Sequence, residues 1–290
     1  MHCDLLIIGA GAAGLSAALG AWEAGCRSIL IADRRSHPGG ILEQCIHHGF
    51  GADLTGPEYA AELFAQLEET GAELRMETEV LSISPSREAV LSARAGLERV
   101  QFSNLIMASG CRERPLGALD ITGTRPDGVY TAGQAQEMMN LHDRDPGERI
   151  LILGSGDLGM IVARRCVLRG KQVVAIVEQA EKYTGLAKNY HGCVEAHSIP
   201  LWTRTTVTEL YGESRLTGVT VRELDSGAER FVPCDTLLLA TGLIPEQTLV
   251  SNLGTPPWLH LVGNCNRVHD LVDSAAHEAR IIGSEIIKKA

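Results

Sequence analysis

The chain has 290 residues, 44% of them hydrophobic and 21% charged, enough for two domains of ordinary size or one large one. A net charge of −10 excludes the lysine- and arginine-rich face that nucleic acid or an anionic membrane would need. The 31 glycines follow no collagen period and point to tight turns and close approaches of backbone to a ligand.

Residues 5–22, "LLIIGAGAAGLSAALGAW", carry no charge and nearly reach the length of a membrane span. Met1-His2-Cys3-Asp4 supplies no basic n-region, and glycines interrupt the run. It is therefore read as a buried strand and helix of a soluble, cytoplasmic protein. Gly9, Gly11 and Gly14 follow the strand, and a second apolar strand, residues 28–32, ends at Asp33. Next comes "GGILEQCIHHGFG", residues 39–51, then short alternating strands over residues 73–101 and an apolar strand, "NLIMASG", ending at Gly110.

The plan then repeats. "RILILGSGDLG" carries Gly154, Gly156 and Gly159, and Glu178 ends the following strand. Each of these positions lies 145 after its counterpart, and each acid lies 19 after its third glycine. Alternating strands over residues 201–232 lead to "TLLLATG", which ends at Gly242. One G-x-G-x-x-G is weak evidence; two complete strand–glycine–helix–strand–acid units in one register are strong. In such a unit the first glycine makes the tight turn, the second admits a pyrophosphate to backbone N–H groups, and the third permits close helix–strand packing. The acid accepts hydrogen bonds from a ribose diol. A last strand and helix, residues 259–289, complete the first domain, so the second unit is nested inside it. The expected boundaries are residues 1–115 with 246–290 for the outer domain and 116–245 for the inner.

The eight cysteines show no C-x-x-C spacing, which disfavours a zinc ribbon, an iron–sulfur cluster or a thioredoxin-type dithiol. Most read as buried reduced thiols of a reducing compartment.

On the paired glycine motifs, the "ASG" and "ATG" strand ends and Gly263-Asn264, the chain resembles the two-dinucleotide-binding flavoproteins, including thioredoxin reductase and the pyridine nucleotide–disulfide oxidoreductases. "GGILEQCIHHGFG", "LTGPEYA", "ASGCRERP", "GVYTAGQAQ", "LGSGDLG" and "VGNCNRVHDLVD" make it look closest to a subgroup associated with anaerobic glycerol-3-phosphate dehydrogenase. It is more distantly similar to one component of heteromeric opine and amino-acid dehydrogenases. The resemblance implies two nested Rossmann-like domains of three-layer ββα type, thioredoxin reductase-like, without a C-terminal interface domain. It implies FAD on the outer domain, held by Gly9, Gly11, Gly14, Asp33, Gly40, Gly110, Gly263, Asn264 and Asp270. Asn264 stands where the class usually has an aspartate. It implies a nicotinamide nucleotide on the inner domain, held by Gly154, Gly156, Gly159, Glu178 and Gly242. NAD(H) is preferred over NADPH, because Glu178 repels a 2′-phosphate and Gln179-Ala180-Glu181 offer no arginine. Hydride would pass between nicotinamide and flavin, and electrons on to a second partner. A glycerol-3-phosphate dehydrogenase-like flavoprotein with a small iron–sulfur protein is the partner set implied; a homo-oligomer stays open.

Compared with the family pattern the chain is short after Phe50 and between Pro245 and Leu259, which would expose the flavin edge or weaken its retention.

Cys45, with no second cysteine within four positions, is either a lone thiol at the flavin or a small packing residue. On an extended chain His47 shares its side with Cys45 and is preferred over His48 as the residue facing the flavin. A Cys45/His47/His48 metal site is disfavoured, since adjacent positions seldom converge on one ion. In "VHDLVD" Asp270 is expected to cap the last helix, with Asp273 in its first turn and His269 beside the flavin. Arg112, Glu113 and Arg114 follow a strand end and contact FAD, brace the crossing between domains, or lie in solvent. Besides an electron-transfer component, two alternatives stand: a self-contained flavin dehydrogenase of a small amine or hydroxy acid, and a non-catalytic nucleotide-binding protein.

Overall fold

Apolar runs without alternation suit strands that bury both faces. In the computed structural model, which describes residues 1–289, strand His2–Ile8 pairs in parallel with Ile29–Ala32 on one side and with the later half of Gly96–Met107 on the other. The period of two then sorts side chains to opposite faces. Leu5, Ile7, Ile29, Ile31 and Ile106 meet the helix side, including Leu15 and Leu19 of helix Ala12–Glu23 and Leu63 and Leu67 of helix Gly56–Glu68. Leu6, Ile8, Leu30, Ala32, Leu105 and Met107 meet Leu91, Val100, Phe102 and Trp258 on the other. Leu5, Leu6, Ile7, Leu30 and Ile31 are fully buried, each contributing about 1.5–3 kcal/mol.

Two units divide the chain: Met1–Arg112 with the chain from Ile244 onward, and Glu113–Leu243. The chain crosses between them at 112/113 and 243/244. In the first unit the strand order is Glu73–Arg75, Ile29–Ala32, His2–Ile8, Gly96–Met107, Glu88–Ala93, Glu79–Ile83, with Leu259–Leu261 also pairing to Gly96–Met107. Helix Val272–Lys289 packs backbone to backbone on helix Ala12–Glu23. A Cβ on Gly20 would lie 2.0 Å from the Arg280 carbonyl oxygen, and one on Gly283 would lie 2.1 Å from that of Ala17.

The second unit repeats the layering. Its parallel sheet runs Val129–Thr131, Thr236–Leu239, Arg149–Leu153, Gln172–Val177, Leu201–Trp202. Ile150, Ile152, Ile176 and Leu238 face the helices, while Leu151, Leu153, Ala175, Val177, Leu237 and Leu239 face a second sheet through Val207, Val219, Val221 and Val232. The architecture is the expected pair of Rossmann-like ββα units with a thioredoxin reductase-like fold.

The two copies differ where the antiparallel excursion returns to the parallel sheet. In the first unit the antiparallel excursion and the returning parallel strand are a single strand, Gly96–Met107. In the second the excursion stops at Pro233, which has no N–H to continue a ladder, and a new strand starts at Thr236. Between them the Asp235 carboxylate accepts the backbone N–H groups of Glu148 and Arg149. No helix among the described residues is long and apolar enough to cross a membrane.

Candidate functional site

The two glycine loops supply the same contrast twice. Gly9 (φ +107°) could not carry a Cβ, which would lie 2.5 Å from the Ala108 carbonyl oxygen; a Cβ on Gly14 would lie 1.8 Å from that of Gly9. In the second unit, Gly154 meets the Ala240 carbonyl oxygen at 2.2 Å and Gly159 that of Gly154 at 2.5 Å. Packing therefore accounts for the outer glycines of both motifs. It does not account for the middle ones. Gly11 (φ −79°) has nothing nearer its would-be Cβ than 4.0 Å, and Gly156 (φ −65°) has nothing within 4 Å. Each is the N-cap of a helix, Ala12–Glu23 and Asp157–Leu168, and neither end has a side-chain cap. Bare backbone at a helix N-terminus suits a phosphate, whose charge the N–H groups and the helix dipole favour.

Both acids are drawn back to their loops. Asp33 accepts Ala10 N at 2.7 Å and Arg35 N at 2.8 Å. Glu178 is 8% exposed and accepts Ser155 N (2.9 Å), Ser155 Oγ (2.6 Å) and Ala180 N (2.9 Å), with Thr184 Oγ1 at 3.4 Å. Burial works to raise the Glu178 pKa, but the hydrogen bonds from Ala180, Ser155 and Thr184 together outweigh it and hold the carboxyl below its usual range. Motif spacing does not single out Ser155 or Thr184; Ser155, inside G-x-G, was the readable one. The following segment lies directly over the loop. Gly185 N donates to Ser155 O, and Asp157 Oδ1 accepts Leu186 N (2.8 Å) and Asn189 Nδ2 (2.6 Å).

The structure also brings an arginine to this corner that local sequence could not show. Arg204 N donates to Ala180 O, and its guanidinium binds Glu181 Oε1 at 3.0 Å and Asp225 Oδ2 at 2.5 Å. Gln179-Ala180-Glu181 offer no arginine, as the sequence shows; Arg204 reaches this corner from another segment.

"GGILEQCIHHGFG" is not the extended loop its spacing suggests. Gly39 and Gly40 both take left-handed φ, +109° and +59°, and open a 3-10 helix, Gly40–Gln44. Gly39 N donates to Ala10 O, and a Cβ on Gly40 would be 3.2 Å from Gly11 Cα, so the glycine pair lies against the first nucleotide loop. Cys45 follows the 3-10 turn. Its Sγ is 3.3 Å from Ile41 O, and it packs on the Leu42/Phe50/Ala60 cluster. Burial pushes the thiol up to about 12, so the thiol itself is protonated at neutral pH. His47 tilts over Phe50 with ring centroids 5.2 Å apart, so it and Cys45 lean on one cluster. His48 is exposed and shares a 2.8 Å hydrogen bond with Asp53 O.

At the far end of the first unit, Gly263 (φ +62°) sits over the nucleotide helix; its Cβ would be 2.6 Å from that of Ala13. Asn264 spans two segments: Oδ1 accepts His269 N at 2.9 Å, and Nδ2 lies 3.6 Å from Cys111 Sγ. One expectation changes here. The last helix begins at Val272, so Asp270 lies outside it. The Asn264 carbonyl on His269 N keeps residues 264–269 in a turn that delays the helix. Asp273 does fall in the first turn, where it accepts Gly51 N at 3.1 Å. The His269 ring is turned inward: its side chain is 6% exposed and its Nε2 lies 3.5 Å from Glu278 Oε2.

Gly110 and Gly242 end corresponding strands with φ of +74° and +110° and open space around each, so conformation alone calls for glycine. Glu113 accepts Gly133 N at 2.8 Å and the Thr131 hydroxyl, capping helix Ala132–Leu141. Arg112 is half-exposed and lies 3.4 Å from Glu246. Among the described residues no group of three or more His, Cys, Asp or Glu could hold a metal ion.

Paired glycine loops on paired ββα units define a two-dinucleotide oxidoreductase. Residues 3–257 match the pyridine nucleotide-disulphide oxidoreductase family, and the chain belongs to it. It is an FAD/NAD(P)-dependent oxidoreductase, of a family that uses FAD and NAD(P)H. It is 27% identical over 257 residues to thioredoxin reductase of Treponema pallidum, covering 83% of this chain and 77% of that one. It is 28% identical over 181 residues to an opine oxidase subunit of Rhizobium meliloti, covering 61% of this chain and 39% of that one. The crystal structure of T. acidophilum thioredoxin reductase superposes with a TM-score of 0.80 at 21% identity, covering 99% and 98% of the two chains, a likeness of fold.

Proposed function

We propose that the protein is an NADH-linked flavoprotein that exchanges electrons with a second redox protein, and that its outer unit carries FAD and its nested unit NAD(H). The observation that carries this reading is the pair of middle glycines, Gly11 and Gly156, which packing leaves unexplained. Gly9, Gly11, Gly14 and Asp33 form the FAD pyrophosphate and ribose end. Gly40, Gly110, Gly263, Asn264 and Asp270 border the same cofactor. Gly154, Gly156, Gly159, Glu178 and Gly242 form the nicotinamide nucleotide site. When bound, the nicotinamide supplies a hydride and the flavin takes up its electron pair.

The chain's own residues bind and orient. Glycine-loop N–H groups and helix N-termini hold the two pyrophosphates. Asp33 and Glu178 each keep a lone pair for a ribose hydroxyl while tying strand end to loop. Glu178 disfavours a 2′-phosphate, which makes NADH the preferred donor.

Cys45 and His47 border the flavin, Cys45 as a desolvated thiol, and the His269 backbone N–H closes the Asn264 turn. No second cysteine lies within reach of Cys45 in sequence, so electrons leave the flavin without an internal dithiol. A separate acceptor protein fits that lack. So does the likeness to the opine oxidase of Rhizobium meliloti, in which the matching chain is one subunit of the enzyme. The partner set put forward is a glycerol-3-phosphate dehydrogenase-like flavoprotein with a small iron–sulfur protein.

Anaerobic titration of the flavin-loaded protein with NADH, repeated with NADPH, tests the reading. Bleaching of the oxidised-flavin band by NADH at lower concentration than by NADPH is expected. A protein that cannot be loaded with FAD, or one bleached only by a small amine or hydroxy acid, overturns it.

A further inference from the structure

Trp202 to Thr205 run along the backbone that follows Glu178: Glu178 N donates to Trp202 O, Arg204 N to Ala180 O and Thr205 N to Glu178 O. Arg204 is thereby fixed one residue from the turn where an adenosine ribose held by Glu178 would present its 2′ position. It has a left-handed φ of +49°, which few non-glycine residues adopt. Its guanidinium does not reach into solvent alone. Nε binds Asp225 and Nη1 binds Glu181, from two different segments, with side-chain exposures of 44% for Arg204, 52% for Asp225 and 82% for Glu181. Gln179, between the acid and Glu181, is itself occupied by Thr206 Oγ1 at 3.0 Å.

An arginine beside a ribose acid is the group that accommodates a 2′-phosphate. Here Glu181 and Asp225 hold one guanidinium, and counting Glu178 and Lys182, close by in sequence, the group of five carries one net negative charge. A 2′-phosphate entering it must displace carboxylates from the arginine and sit beside them. Exposed ion pairs are weak, about 0–1 kcal/mol, so the arrangement is easily re-aimed once its counter-charges are removed.

We propose that Arg204, held by Glu181 and Asp225, is a second specificity determinant of the nucleotide site beside Glu178: a latent 2′-phosphate receptor masked by two carboxylates. The proposal rests on the assignment of Glu178 to the adenosine ribose.

The test uses the flavin-loaded protein and the double variant Glu181→Gln/Asp225→Asn, with anaerobic flavin reduction by NADPH and by NADH as the kinetic readout. Binding of adenosine 2′,5′-bisphosphate against AMP is the second. The NADPH:NADH ratio of kcat/KM should rise about tenfold, about 1.4 kcal/mol, with the NADH value held within about threefold. Adding Arg204→Ala to the double variant should abolish the gain. A gain that survives without Arg204 would reduce the effect to relief of repulsion and overturn the proposal; so would no gain at all. Glu178→Gln separates the two levels. If AMP affinity falls in that variant while the double variant gains nothing, the arginine assignment alone has failed. If AMP affinity is indifferent to Glu178→Gln, the ribose assignment has failed and the proposal with it.

Discussion

Replacing the middle and the third glycine of the first loop should have opposite signatures. Gly11 already has φ −79° and ψ −177°, open to any residue, and an added Cβ meets nothing nearer than 4.0 Å. Gly11→Ala should therefore leave the FAD-free protein as stable as before or more so, by about 0.4–1 kcal/mol, through a less flexible unfolded chain. Its cost falls on the ligand. A methyl group in the path of a phosphate removes at least one charge-assisted N–H bond, about 1.5–3 kcal/mol, or about 10- to 150-fold in FAD affinity.

At Gly14 the Cβ would lie 1.8 Å from the Gly9 carbonyl oxygen, so helix and loop must separate by about 1.6 Å to reach an ordinary 3.4 Å contact. Gly14→Ala should cost about 1–3 kcal/mol or more in the FAD-free protein, the range for overpacking. Urea midpoints of the two FAD-free variants and FAD dissociation constants from flavin fluorescence separate the cases. If Gly11→Ala destabilises the FAD-free protein as much as Gly14→Ala does, or binds FAD within about threefold of wild type, the assignment of the middle glycine to a phosphate is wrong.

With its thiol pushed up to about 12, Cys45 should alkylate at pH 8 about a thousandfold more slowly than a thiol of pKa 9.0, and Cys45→Ser should retain flavin reduction by NADH; loss of that step assigns Cys45 to building the flavin pocket. Glu178 has a carboxyl held below its usual value, so its contribution to stability is present above the unfolded-state pKa and disappears as pH falls through the folded one. The stability difference between wild type and Glu178→Gln should be level above about pH 5.5 and shrink below it, which urea midpoints across pH 3–7 will read. His269→Ala should leave flavin reduction within a few fold while costing about 1–3 kcal/mol through the loss of a buried ring; because Glu278 Oε2 keeps Arg267 Nη2 at 2.9 Å, a double-mutant cycle with Glu278→Gln should show little coupling.

Periodicity and spacing were enough to determine the architecture. Residues 5–8 and 29–32 read as buried strands once glycines are seen to interrupt the first apolar run, and the offset of 145 between the glycine motifs declared two copies of one unit. The same offset does not carry the differences between copies. Pro233 marks where one excursion strand must stop, a signal that was on view; that residues 96–107 run on as one strand follows only from pairing with two different neighbours.

Around the site the division is sharper. Short-range chemistry was legible: glycines that turn, an acid at each strand end, and a cysteine without a partner nearby. Long-range placement was not. Asp270 reads as a helix cap until Asn264 is seen to hold the His269 N–H and postpone the helix to Val272. Cys45 reads equally as a lone thiol at the flavin or a packing residue until it is seen to pack with Phe50 and Ala60, where burial raises its pKa. Arg204 carries no local signal, because a sheet edge delivers it to Ala180 from 24 residues away. Sequence determined which elements form, since backbone sterics and hydrophobic periodicity act within a few residues. Tertiary structure decided which charges and donors meet, because electrostatics and desolvation depend on distance through space rather than along the chain.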